Sequence, residues 1–120
     1  MTRHDDATRL RHMLDHARKA VQLARGKARA DLDTDEVFGL AMTRLLEVVG
    51  EAATRVSPAT RGRHQQIPWL AIAGMRNRLI HAYDRVDFTV LWDAVQYDLP
   101  ALIAELERIL AGLPGEGESP

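Results

Sequence analysis

The stretch from Glu36 to Val56 reads EVFGLAMTRLLEVVGEAATRV. Its apolar residues Phe38, Met42, Leu45, Val49, Ala52 and Val56 recur at alternating steps of four and three, which places them on one stripe of an α-helix. Asp31-Leu-Asp-Thr-Asp-Glu36 ahead of it supplies N-cap candidates and acidic first-turn residues, with Asp33 and Glu36 near capping-box spacing. Ser57-Pro58 closes the helix. Gly50 inside it costs up to about 1 kcal/mol relative to alanine, tolerable where another helix must approach closely.

The same rhythm extends to both sides. Leu10, Leu14, Ala17, Val21, Ala24 and Ala28 form the stripe of a first helix expected to end near Ala30. Pro68 suits the first turn of a third helix running to about Tyr83, because proline's missing N–H has no intrahelical partner there. Asp87 can cap a fourth, with the stripe Phe88, Trp92, Val95, Leu99, Leu102, Leu106 and Ile109. Pro100 interrupts that stripe, so a kink or break is expected between Gln96 and Leu99. The polar, basic segment Ala59 to Gln66 reads as a mobile connection with at most one helical turn. Together these features predict an all-α, antiparallel four- to five-helix bundle over residues 1–111, followed by a disordered tail, 112–120. Val37, Leu40, Val48, Leu91 and Ile103 lie off the main stripes, and a second apolar face of this kind points to a homodimer.

Composition supports one soluble domain: 120 residues, 46% hydrophobic and 28% charged, without cysteine. No apolar run approaches the roughly 18 residues needed to span a bilayer, so no membrane association and a cytoplasmic location are expected. The formal charge of −1 conceals blocks of +5 over residues 1–30, −5 over 31–54, +5 over 55–85 and −6 over 86–120. The third block can form a local phosphate-binding surface although the global field is weak. Within it, Arg55, Arg61, Arg63 and His64 are candidates for that surface, with an ordinary wet loop as the competing reading.

The third helix carries the chemistry. Its stripe is Trp69, Ile72, Ala73, Leu79, Ile80 and Tyr83, and Arg76 occupies a place that calls for a hydrophobic residue. A guanidinium facing a core must be paired, for which Glu47 or Glu51 is available, or must line a cleft. On a straight helix Asn77 and His81 share one edge, whereas Arg76 and His81 diverge by roughly 140°, so one chain cannot aim both at a single small atom. Two copies about a twofold axis can.

Arg76 to Tyr83 reads RNRLIHAY and resembles the R-x-x-x-x-H-x-Y signature of the HEPN superfamily, specifically its HepT-like toxin branch. Leu46 to Ala53, the Ile67-Pro68-Trp69 run and Trp92 through Leu99-Pro100 resemble that family in order and spacing, so the likeness spans about Asp5 to Leu110. The resemblance implies a helical bundle that dimerises through the motif helices and acts as a metal-independent ribonuclease with Arg76 and His81 catalytic. It further implies a minimal nucleotidyltransferase antitoxin as partner, neutralising the toxin in some members by adding AMP to the motif tyrosine, here Tyr83.

The residue types suit such chemistry. RNA cleavage without metal requires a base for the 2′-OH, an acid for the leaving 5′-oxygen and positive charge for the phosphorane. Histidine can serve as either acid or base near neutral pH, and arginine meets phosphate with a bidentate fork. Asn77 can orient an imidazole or the phosphate, and Arg78 can hold flanking backbone. An AMP group on Tyr83 would compete with RNA phosphate for the same cleft. The alternative reading is a non-catalytic helical partner that presents substrate to, or docks on, a nucleotidyltransferase. His12 and His16 have metal-compatible spacing but no third ligand, so no metal site is expected. No cofactor is expected, since no glycine-rich phosphate loop, Ser-His-Asp order or pair of catalytic carboxylates can be made out.

Overall fold

The computed structural model describes residues 3–81 and 85–113, with side chains from Asp5 to Leu79 and from Val86 to Leu113. Helix α1 spans Arg3–Ala24, α2 Asp31–Thr34, α3 Glu36–Thr54, α4 Pro58–Arg63, α5 Trp69–Ala73 and α6 Met75–Leu79. Strands β1, Ile80–His81, and β2, Arg85–Val86, form a two-residue antiparallel ladder pairing Ile80 with Val86 and His81 with Arg85. Then come α7, Phe88–Asp93, a π-helical turn, Ala94–Asp98, and α8, Leu99–Ala111. Apart from the short ladder the fold is all-α, and no helix among the described residues is long and apolar enough to cross a membrane.

Chain ends define the direction of packing. Asp6 at the start of α1 meets Ser57 just beyond α3, and Arg29 beyond α1 reaches Thr89 at the start of α7. Thus α1 runs antiparallel to α3 and to the α7–α8 helix. The α5–α6 pair in turn runs against α3, with Ile72 beside Gly50 and Arg76 beside Glu47. Four antiparallel layers result. Leu10, Met13, Met42, Leu46, Met75, Leu79, Leu91, Leu99 and Leu106 fill the shared core.

Local chemistry explains where elements differ from expectation. Helix α1 ends at Ala24 rather than near Ala30 because Gly26 adopts φ 75°, a left-handed conformation that glycine accepts without steric cost. Asp33 binds Arg29 instead of joining a capping box, and Asp35 caps α3 by accepting from the Phe38 N–H at 3.1 Å. The segment expected to be a mobile connector is a six-residue helix, α4, capped by Ser57. Gly112 caps α8, and Leu113 still packs against the core. The rest of the expected tail, 114–120, lies outside the described residues.

Asp87 caps α7 as expected, accepting from the N–H groups of Thr89 and Val90. Pro100 produces a widened turn in place of a break: the Leu99 N–H bonds to the Ala94 carbonyl five residues back, and Pro100 enters the first turn of α8. The extra residue rotates the preceding stripe. Leu91, assigned by periodicity to a second apolar face, is therefore fully buried, while Phe88 and Trp92 are half-buried. Val37 and Leu40 keep the outward position expected of them, at 77% and 64% exposure.

Gly50 lets α3 come close to the backbone of α5. A Cβ there would lie 3.0 Å from the Ile72 carbonyl oxygen, a backbone atom that cannot swing aside. Gly50→Ala is therefore expected to lower stability by about 1–2 kcal/mol, overriding alanine's better helix propensity. Urea denaturation monitored by circular dichroism measures the change.

Candidate active site at the end of helix α6

The motif segment is neither one helix nor core-facing at Arg76. Gly74 separates α5 from α6, and α6 stops at Leu79. Met75 takes the inward position at 1% exposure, one residue before the place assigned to Arg76. Arg76, Asn77 and Arg78 are all exposed on the same turn. The Arg76 side chain is 64% exposed, with Nε 3.3 Å from Oε2 of Glu47, whose side chain is 18% exposed. The ion pair anticipated for Arg76 thus exists, though at the surface rather than within the core.

Arg78 leaves the opposite flank of α6. Its Nη1 donates to the Ala71 carbonyl at 3.4 Å, and its Nη2 stands 3.9 Å from Asp98. Arg76 and Arg78 therefore splay toward α3 and toward the π turn respectively, with Asn77 between them. A cationic fan of this kind presents its donors to solvent, where a phosphate can reach them.

His81 follows two residues beyond the helix end, with its backbone paired to Arg85. The Asp87 N–H donates to the Leu79 carbonyl at 2.6 Å and closes the hairpin. The helical ruler that set Arg76 and His81 about 140° apart does not apply, because the backbone turns extended between them. The ring of His81 and the whole of Tyr83 lie outside the described residues.

The basic run 55–64 does not form one surface. Arg55, at the end of α3, lines a hollow of about 200 Å³ with Arg9 and His12 of α1 and with Glu51. Arg63 and His64 line a separate cleft of about 270 Å³ with Asp6, Thr60 and Arg108. Arg61 is half-buried. Burial, reinforced by the neighbouring Arg63 and Arg108 cations and opposed by Glu105, holds the pKa of the His64 imidazole below its ordinary value. Arg9 and Arg108, distant in sequence, join these clusters only through packing.

Asp6 was not singled out by its local sequence, yet it anchors α4. At 4% exposure it accepts from the Ser57 N–H at 2.9 Å, the Ser57 hydroxyl at 2.6 Å and the Thr60 hydroxyl. His16 Nδ1 lies 2.8 Å from the His12 carbonyl, and the described residues contain no group of three or more His, Cys, Asp or Glu that could hold a metal ion.

With this geometry in place, comparison with known proteins identifies the lineage. The family described as ribonuclease HepT-like matches residues 13–109. The chain belongs to the HepT-like family. It is 33% identical over 101 residues to "Putative RNase TTE0752" of Caldanaerobacter subterraneus subsp. tengcongensis, covering 84% of this chain and 90% of that protein. It is 39% identical over 79 residues to "Probable ribonuclease HepT" of Thermococcus cleftensis, covering 66% and 72% respectively. Over 119 residues it is 28% identical to "Putative RNase MJ1216" of Methanocaldococcus jannaschii, covering 99% and 98%. No solved structure gives a significant match. The HepT-like match includes all of α6 and the hairpin after it.

The anchor of α4 has a defined pH signature. Burial pushes the Asp6 carboxyl upward, but hydrogen bonds from Ser57 and Thr60 outweigh it and hold the group below its ordinary value. A depressed folded-state pKa stabilises the fold above the unfolded value near 3.9, and that contribution disappears as pH falls through the folded value. Asp6→Asn is expected to cost about 1–3 kcal/mol at neutral pH, with the gap to the parent closing below about pH 4. Urea denaturation across that range tests both the magnitude and the sign.

Proposed function

We propose that this HepT-like chain is an endoribonuclease toxin that cleaves RNA in a cleft between two copies of itself. The observation that carries the reading is the exposed turn Arg76-Asn77-Arg78 followed, one residue after α6 ends, by Ile80 and then His81. Arg76 meets the scissile phosphate and neutralises charge developing on the phosphorane. One His81 removes the 2′-OH proton, and His81 of the second copy protonates the departing 5′-oxygen. Two imidazoles thus perform both proton transfers, and no metal is required by this scheme. Asn77 orients the phosphate or an imidazole, while Arg78 holds flanking backbone. Arg55, Arg61 and Arg63 attract RNA over a wider surface, with His64 beside Arg63 contributing a hydrogen-bonding imidazole.

Support for the second copy comes from α3. Its outward face starts with the exposed apolar residues Val37 and Leu40, continues through Arg44 and Glu51, and carries Arg76 on its flank through Glu47. Apolar residues followed by charges of both signs suit a self-complementary twofold contact. The cognate partner in this reading is a minimal nucleotidyltransferase antitoxin, and the setting is the cytoplasm.

Purified parent, His81→Ala and Arg76→Ala are to be incubated with total RNA in EDTA. The parent should produce 2′,3′-cyclic phosphate and 5′-hydroxyl ends, with each variant slower by at least about 10²-fold. Arg76→Ala should keep its folding stability within about 1 kcal/mol, because the Arg76 side chain that it removes is largely exposed to solvent. Equal inertness of all three proteins would instead favour a non-catalytic subunit that serves a nucleotidyltransferase.

Neutralisation has its own test. Incubation with the cognate nucleotidyltransferase and ATP should add mass in AMP steps at Tyr83 and abolish cleavage, because the adduct competes with RNA phosphate for Arg76. Intact-mass spectrometry of parent and Tyr83→Phe decides the site, and an undiminished adduct on the variant would place it elsewhere.

A further inference from the structure

A cleft of about 380 Å³ opens between the α5–α6 segment and the π turn with α8. Pro68, Ala71 and Met75 contribute its apolar side, and Arg78, Tyr97 and Asp98 supply polar groups. We propose that this cleft binds one base of the RNA substrate, stacked on Tyr97 and selected by Asp98. The proposal rests on the ribonuclease reading and adds to it a determinant of sequence preference.

Three observations meet here. Tyr97 is 74% exposed, whereas the other aromatic residues with described side chains, Phe38, Trp69, Phe88 and Trp92, are buried or half-buried. The π turn is what presents it: Gln96, Tyr97 and Asp98 are three consecutive exposed residues between buried Val95 and Leu99. Such turns recur at functional sites because they redirect side chains without ending the helix.

The third observation is continuity with the cationic fan. Arg78 belongs to the same turn as Arg76 and lines this cleft, held there by long contacts to the Ala71 carbonyl at 3.4 Å and to Asp98 at 3.9 Å that a phosphate can compete with. A base-stacking surface beside a cation is the pattern that holds single-stranded RNA, in which unstacked bases are available. Glu105, also on the cleft, is already engaged by Arg108 and Gln66. The Asp98 carboxylate is 61% exposed and accepts hydrogen bonds. It therefore favours bases with an exocyclic amino group, cytosine, adenine or guanine, over uracil, which carries none and presents carbonyl oxygens instead.

The test uses the full chain carrying His81→Ala, so that bound RNA is not cut, and fluorescein-labelled oligomers of cytidine, adenosine and uridine read by anisotropy. Tyr97→Ala should weaken the cytidine and adenosine oligomers about tenfold, and Tyr97→Phe should restore their binding. Asp98→Asn should collapse the preference over uridine, and a photoreactive 5-iodocytidine oligomer should crosslink at Tyr97. Unchanged affinity in Tyr97→Ala with crosslinks elsewhere overturns the proposal. Loss of self-association in Tyr97→Ala, seen by sedimentation, also overturns it by making the cleft a contact between copies. Cleavage of RNA by the parent, measured separately, keeps the outcomes apart: cleavage with unaffected Tyr97→Ala binding removes only the base site, and Tyr97-dependent binding without cleavage removes only the nuclease.

Discussion

The contact between Gly50 of α3 and the backbone of α5 sets the geometry on which the rest of the molecule depends. With no side chain at Gly50, the Ile72 carbonyl lies within the distance that a Cβ would contest. Helix α5 is thereby held against α3, and Gly74 permits the chain to restart as α6 with Met75 turned inward. Once Met75 is fixed in the core, the following three residues have no choice but to face outward. Arg76 then falls beside Glu47, and Arg78 falls beside Asp98. A packing constraint between backbones therefore determines where the charges sit.

The second constraint acts where α1 begins and α3 ends. Asp6 is nearly buried, and a carboxylate there is tolerated only because Ser57 and Thr60 satisfy its oxygens. This network ties the start of α1 to the start of α4 and so fixes the basic residues that follow. Arg63 and His64 consequently share a cleft with Arg108, while Arg55 faces Arg9 and His12. The cationic block visible in the sequence is distributed over two surfaces rather than concentrated on one. A chain of net charge −1 can still gather phosphate at such places, since the interaction is local and screened within about 10 Å.

Pro100 shows how a local defect is put to structural use. Its missing N–H could have ended the helix, yet Leu99 bonds five residues back and the helix continues through a wider turn. That turn lets Leu91 and Leu99 both enter the core and carries Tyr97 and Asp98 to the rim of the neighbouring cleft.

Periodicity and local capping chemistry alone determined the helical class, the core stripes of α3 and α8, that of α1 as far as Ala24 though not the exposed Ala28, and the Asp87 cap, because each is a consequence of neighbours three or four residues apart. The Arg76-to-Tyr83 signature likewise carries the likeness to the HepT-like family in its residues alone. Only the tertiary structure decided that Arg76 is exposed and Met75 buried, that the helix stops at Leu79, and that Asp6, Arg9, Arg108 and Tyr97 join their respective clusters. The physical reason is that a helical ruler assumes an unbroken helix. Gly74, the strand pairing of Ile80 with Val86 and the π turn each shift the angular register, and contacts between residues distant in the chain settle which side chains share a site.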